Sequence, residues 1–324
     1  MIYAPVCIPT LNRYEHLRKC LESLSRCTWA DQTEVYVALD YPPLDKWDVY
    51  APGWEKNREF LHSCGDMGFK KLHLIERAEN YGTWLPGHKG NTKCLVGDIK
   101  KMYDRYIISE DDNVFAPCFL EYMDKGLEKF ENDNSVLSIG GYKFFYPILT
   151  DGANYIRQSV DYSPWGVGRW TSKELPDVNY KWYRKNVTLR KLVELKNLYG
   201  WGVVSGVIGK MHKSNIDRIY IDNDDWMFMQ MTGADQVIPT KTLVHNIGLD
   251  GSGLDMPDSI SNNEDWSNPE LNPLSSDEHF DFVGTGLEHY KENRKVYYHG
   301  KYWKPKWKYI MKTCKKIIKL VIGR

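Results

Sequence analysis

Residues 106–114 read Tyr106-Ile107-Ile108-Ser109-Glu110-Asp111-Asp112-Asn113-Val114. The apolar run Tyr106–Ile108 is what a short buried strand shows, and it stops abruptly in three consecutive carboxylates. Like charges packed this closely repel, and removing them from water is costly unless positive charge compensates. A hard divalent cation meets that need, because it prefers oxygen ligands and can share its remaining positions with phosphates. In an extended segment side chains alternate, so Glu110 and Asp112 point one way and Asp111 the other. One acid can then hold a metal while its neighbour takes the hydroxyls of a sugar. A solvated acidic loop is the plainer reading of any such triplet, and the rest of the chain weighs against it.

Working outward, strands and helices alternate over the first 140 residues. Residues 2–8 read as a strand ended by Pro9, Thr10 and Asn12, followed by a helix with Leu17, Cys20, Leu21 and Leu24 on one face. Val35–Leu39 is a second strand ending at Asp40, residues 54–64 are helical, and Leu72–Ile75 is a third strand. The glycine-bearing loop 80–91 opens a helix reaching about residue 103. The acid-tipped strand is the fourth. Pro117 suits the first position of a helix carrying Phe119, Met123, Leu127 and Phe130, and Val136–Ile139 is a fifth strand. This order predicts an α/β fold, a mostly parallel sheet covered by helices on both faces. Ligands of such sheets bind beyond the carboxyl ends of the strands, where Thr10, Asp40, Asn80 and Glu110–Asp112 all fall.

Beyond residue 142 the alternation fades. Ser163–Trp170 reads as a Gly/Trp loop, residues 186–198 and 201–213 as helices, Tyr220–Trp226 as the lead into a helical Met227–Met231, and 255–278 as loop. We find no internal repeats. The organisation expected is a domain over 1–255 (a nucleotide-binding half 1–142 and an acceptor half 143–255), a loop-rich extension 256–300 and a basic tail 301–324.

The chain has 324 residues, with 43 Lys+Arg and 43 Asp+Glu, so no global field favours nucleic acid. The tail holds nine basic and no acidic residues, which leaves the first 300 residues at a formal charge of −9. Seven scattered cysteines without a C-x-x-C pair argue against a disulfide framework or zinc site, and for a reducing cytosol. No signal peptide and no apolar run of spanning length is evident. From Pro305 onward, Trp307, Ile310, Met311, Cys314, Ile317, Ile318 and Val321 fall on one helical face, with Lys308, Lys312, Lys315, Lys316 and Lys319 on the rest. That pattern predicts an interfacial helix on anionic lipid over 305–324, or a helix docked on the acidic body. The location expected is cytoplasmic, peripheral at the inner face of the cell membrane.

These segments together resemble the GT-A-fold (Rossmann-like) glycosyltransferases. Ile8-Pro-Thr-Leu-Asn-Arg13 is similar to the Pro-Thr-x-Asn-Arg entry of family 2 enzymes. Glu110–Pro117 with Phe119–Tyr122 resembles the Glu-Asp-Asp segment of the N-acetylglucosaminyltransferase I family, and Asp224-Asp225-Trp226-Met227 resembles that family's Asp-Asp-Trp-Met run. The Trp-Gly-x-Gly loop at 165–168 is common in bacterial relatives that build surface polysaccharides. The resemblance spans roughly residues 1–255. It implies an inverting, UDP-sugar-dependent transferase acting on a glycan or lipid-linked glycan. It implies Asp112 as ligand of Mn2+ (or Mg2+), Glu110 and Asp111 as contacts to the donor's sugar and ribose, and Asp40 on the uracil. Thr10 and Arg13 would line the nucleotide pocket, and Asp225 would be the general base. Loop 80–91 departs from the family pattern, so Asn80 is a candidate donor contact, as is His88. Either His88 or His245 could add a metal ligand, an ordinary histidine being the simpler reading. Trp165 and Trp226 are acceptor-stacking candidates, core packing being the alternative for each and for Trp170. Two other classes compete: a catalytically inactive nucleotide- or glycan-binding module, and a sugar nucleotidyltransferase. The first has no need of both acid pairs. The second usually needs a basic glycine-rich loop after the first strand, which Pro9–Arg13 is not.

Overall fold

The computed structural model describes residues 1–82, 89–144, 147–159, 161–176, 178–212, 221–250, 270, 272–293 and 307–322. Its first half is built on β1 (Val6–Thr10), β2 (Glu34–Leu39), β3 (Lys71–Glu76) and β4 (Arg105–Ile108). These lie parallel in the order β3-β2-β1-β4. Alternation sends Val6, Ile8, Val35, Val37 and Ile107 into one core with Leu17, Leu21 and Leu24 of α1 (Tyr14–Ser25). Cys7, Tyr36, Ala38 and Tyr106 face the other way, onto Leu95, Val96 and Ile99 of α3 (Asn91–Ile99). Apolar residues on both faces are the mark of a parallel sheet covered twice, the fold class expected. Helix α2 (Trp47–Ser63) starts seven residues before its expected position. Strand β1 runs to Thr10 instead of ending at residue 8. Pro9 is tolerated there because pairing with β4 stops at Cys7↔Ile108, so no ladder bond to β4 is asked of it.

The second half contains strands that periodicity did not reveal. After β5 (Asn113–Phe115) and α4 (Phe119–Lys129) come β6 (Val136–Gly140), β7 (Tyr155–Gln158) and β8 (Val167–Trp170). Helices α5 (Tyr180–Asn186), α6 (Leu189–Lys210) and α7 (Ile221–Thr232) precede β9 (Asp235–Pro239) and β10 (Val244–Asn246). The full order is β3-β2-β1-β4-β8-β6-β9-β7, with β8 and β7 antiparallel to their neighbours. The expected Gly/Trp loop therefore contains a central strand. Gly168 lies opposite both Ile107 and Ile139, and a Cβ there would stand 3.3 Å from Leu127 of α4. The glycine admits the helix and at the same time erases the apolar alternation that signals a strand. The two expected helices at 186–198 and 201–213 are α6, broken at Gly200 (φ 80°, ψ −179°). Pro117 lies two residues ahead of α4, outside it.

From the extension, Phe280 and Phe282 pack on Tyr122, Phe130 and Tyr155. Helix α8 (Trp307–Ile322) lies on α6: Lys316 Nζ donates to the Ser205 carbonyl at 2.6 Å, and Thr313 is buried. Among the described side chains of this helix, Thr313 and Lys316 turn towards the body. Met311, Ile317 and Ile318 are 56%, 43% and 55% exposed, so part of the expected apolar face points outward. Among the described residues no helix is long and apolar enough to cross a membrane.

One buried acid makes the fold pH-sensitive. Asp124 Oδ1 accepts the Ala4 amide at 2.9 Å, tying the chain's entry into β1 to α4, while Oδ2 has no partner among the described residues. Burial pushes this carboxyl up to about 7, against roughly 3.9 in an unfolded chain. The native state then binds more protons than the unfolded state between those values, so stability falls as pH rises through that window. Asp124→Asn is expected to be more stable than the wild type at pH 8 by on the order of 2–4 kcal/mol, with the gap closing near pH 4. Urea melts at the two pH values measure this; an equal effect at both would exclude it.

Candidate active site

The acids of 110–112 emerge from β4 at the carboxyl edge of the sheet and are gripped from two directions. From β1, Thr10 Oγ1 donates to Asp111 Oδ2 at 2.7 Å. From the turn after it, Arg13 donates Nη1 to Asp112 Oδ2 at 2.6 Å and Nη2 to Asp111 Oδ1. Thr10 is itself held by Asn57 of α2, whose Nδ2 also donates to the Leu11 carbonyl. From the far side, β10 pairs antiparallel with β5, placing Asn246 opposite Asn113. Asn246 Nδ2 then reaches Asp112 Oδ1 at 2.7 Å and Glu110 Oε2 at 3.2 Å. Gly248 closes the site, since a Cβ there would fall 2.0 Å from Asp112 Oδ2. Burial raises the Asp112 carboxyl and Asp111 adds to this, while Arg13 opposes both.

The second predicted cluster forms at the ends of β2 and β3. Asp40 is buried and accepts the amides of Tyr81 (2.8 Å) and Gly82 (2.9 Å), and its own neighbour Tyr41 at 3.0 Å. Asn80 Nδ2 stands at the hydrogen-bond limit from the same carboxylate, 3.5 Å, and donates to the Tyr41 carbonyl. Burial raises the Asp40 carboxyl, and the three amides lower it. The carboxylate thus holds the 80–82 turn against the sheet edge. Tyr41, Trp47 and Trp54 pack together beside it, with ring centroids 5.4–6.2 Å apart.

Asp225 lies within α7, not at its start, and is buried in an ion pair with Arg169 of β8, which also donates to Tyr162 Oη at 2.9 Å. Arg169 pairs opposite Tyr106 of β4, so α7 is tied to the strand beside the acid-tipped one. Trp165 is half-buried against both main cores, edge-on to Tyr142 at 4.8 Å. Trp226 is half-buried against the second core. Trp170 is fully core, its Nε1 donating to the Leu127 carbonyl. His245 is buried, its Nε2 has no partner among the described residues, and burial lowers its pKa. His88 lies outside the described residues.

Sequence reasoning missed Asn246, Asn57 and Arg169. Asn246 and Gly248 sit in the polar, glycine-rich stretch 245–253, but only the β5–β10 pairing puts them on the acids. Arg169 was hidden in the supposed loop.

The donor set suits a hard cation in kind. Glu110 and Asp112 oxygens converge on one Asn246 nitrogen, and Arg13 shows that Asp111 and Asp112 take positive charge. Among the described residues no three His, Cys, Asp or Glu side chains form a ready cage. A hard cation held here would find one or two carboxylates and would need to complete its shell with water or with oxygens of a ligand.

No family model and no curated protein sequence matches this chain. Solved structures of similar fold include S. aureus TarS 1–349, with TM-score 0.40 and 12% identity over 98% of this chain and 80% of that one. The mannosyltransferase PcManGT from Pyrobaculum calidifontis, in complex with GDP-Man and Mn2+, gives 0.29 and 18% over 44% of this chain and 36% of that one. The glycosyltransferase GlyE of Streptococcus pneumoniae gives 0.30 and 12% over 72% and 44%. The chain spans 41% of another TarS structure. At such scores no residue of this site is placed by comparison.

Proposed function

We propose that the chain is an inverting glycosyltransferase of the GT-A type. It would transfer a sugar, hexosyl or N-acetylhexosaminyl, from UDP to a glycan acceptor, including a lipid-linked one, in the assembly of a surface polysaccharide. The observation that carries this reading is the convergence of Thr10, Arg13, Glu110–Asp112 and Asn246 at the carboxyl edge of β1 and β4, with Asp40 and Asn80 next along the same edge at β2. In parallel sheets that edge is where nucleotides bind.

Asp112 would hold Mn2+ or Mg2+. Such an ion neutralises the charge that develops on a departing diphosphate. Asp111 and Glu110 would receive donor hydroxyls. Asp40 and the turn it holds would form the wall beside the uracil, Asp40 exchanging one amide partner for the base. Asp225 would take the proton of the acceptor hydroxyl as its oxygen attacks the anomeric carbon and the bond to UDP breaks. Trp165 and Trp226 would flank the acceptor. Calorimetry of UDP, GDP and dTDP, each with and without Mn2+, tests the reading. UDP binding that needs the metal supports it, GDP or dTDP alone would change the donor, and no nucleotide binding would overturn the enzyme.

The same reading places the protein at the inner face of the cell membrane through 305–324. In support, Thr313 and Lys316 of α8 turn towards the body, and Met311, Ile317 and Ile318 are exposed beside Lys312 and Lys315. Each lysine near an anionic surface adds about 1 kcal/mol. Replacing all three apolar residues by Ser, which spares Thr313 and Lys316, is expected to abolish co-sedimentation with phosphatidylserine vesicles. Unchanged sedimentation would refute the membrane role.

A further inference from the structure

Arg13 lies across both acids at once, its two terminal nitrogens on different carboxylates, with its side chain 19% exposed and theirs 6% and 8%. A guanidinium in this fork supplies charge compensation to two of the three adjacent acids. Asp112 Oδ1 is meanwhile taken by Asn246. Space around Oδ2 is closed as well: a Cβ on Gly248 would lie 2.0 Å from that oxygen and 2.8 Å from Arg13 Nη1. A second cation arriving at Asp112 would therefore meet a fixed positive charge in a largely dehydrated pocket, where like-charge repulsion is strong.

We propose that Arg13 is an internal counter-ion latch on the acid cluster, which must give up Asp112 before a divalent cation can take it and does so only when a nucleoside diphosphate receives the guanidinium. Asp112 keeps a cationic partner in both states. Metal and diphosphate then bind as a pair, each raising the other's affinity by the same factor. Arg13 is a positioning residue in this scheme. The inference rests on the glycosyltransferase reading for its cation and its diphosphate, and the metal-only titration below tests the part played by Arg13 separately.

The experiment titrates the full chain with Mn2+ alone, following free Mn2+ by its paramagnetic resonance and the protein by thermal melting. The wild type, Arg13→Gln and Arg13→Lys are compared. Arg13→Gln is expected to bind Mn2+ at least tenfold more tightly than the wild type and to gain more in melting temperature from the ion. Arg13→Lys should fall between them, because an ammonium is a point charge that cannot fork across two carboxylates. If Arg13→Gln does not fold without metal, the lysine variant carries the comparison. Equal Mn2+ affinity in the wild type and the variant, or no Mn2+ binding by either, overturns the latch. With UDP at saturation, wild-type affinity for Mn2+ should rise at least tenfold. Absence of any UDP binding would sink the donor assignment while leaving the metal-only comparison readable.

Discussion

Asp112→Ala is expected to abolish metal-dependent UDP binding and to lower turnover by on the order of a thousandfold or more. Asp112 is held from three directions: Arg13 on Oδ2, Asn246 on Oδ1, and the Ile247 amide on its backbone carbonyl at 2.8 Å. On the proposed reading, removing the carboxylate takes away the acid that would hold the metal, and it also frees Arg13 from one of its two partners. The freed guanidinium can still meet phosphate. Weak, metal-independent UDP binding is therefore the expected residue of function, and calorimetry in excess chelator measures it. Asp111→Asn is the control for a general charge effect, since it alters the same fork while leaving Asp112 intact. Equal metal-dependent affinity in Asp112→Ala and the wild type would remove Asp112 from the metal site.

Asp225→Asn is expected to lower turnover by about 10²–10⁴, the range a positioned general base contributes, with UDP affinity within roughly twofold of the wild type. The amide keeps the size of the side chain and an oxygen for Arg169, so the tie between α7 and β8 persists in weakened form. Its stability cost is real, because Arg169 is buried and loses its charged partner; breaking such a pair costs up to about 3–5 kcal/mol. Retained UDP affinity separates the two effects, as a collapsed site would lose both. A turnover loss smaller than tenfold in a protein that still binds UDP would leave Asp225 as a structural partner of Arg169 alone.

The first half of the molecule was legible because its chemistry is local. Apolar runs of four to six residues, each followed by a polar punctuation, mark strands buried on both faces, and the parallel order then dictates the edge at which ligands gather. Thr10, Asp40, Asn80 and Glu110–Asp112 were found by that argument, with no contact known. The second half resisted it. Gly166 and Gly168 suppress the pattern of β8, while Asn113–Phe115 and Val244–Asn246 are each three residues long, too short for any period to show. Core packing is a reading open to Trp165, Trp170 and Trp226 alike, and only the packing of Trp170 under α4 could assign it to the core.

By itself the sequence determined the fold class, the acidic tip on the fourth strand and the basic amphipathic character of the tail, because periodicity and charge runs are properties of neighbours along the chain. Tertiary structure alone decided who partners those acids. Arg13 is separated from Asp112 by 99 positions and Asn246 by 134, and Asp225 from Arg169 by 56. A buried charge is defined by what neutralises it, and in this chain each neutralising group arrives from a strand or turn that pairing, not proximity in sequence, brings alongside.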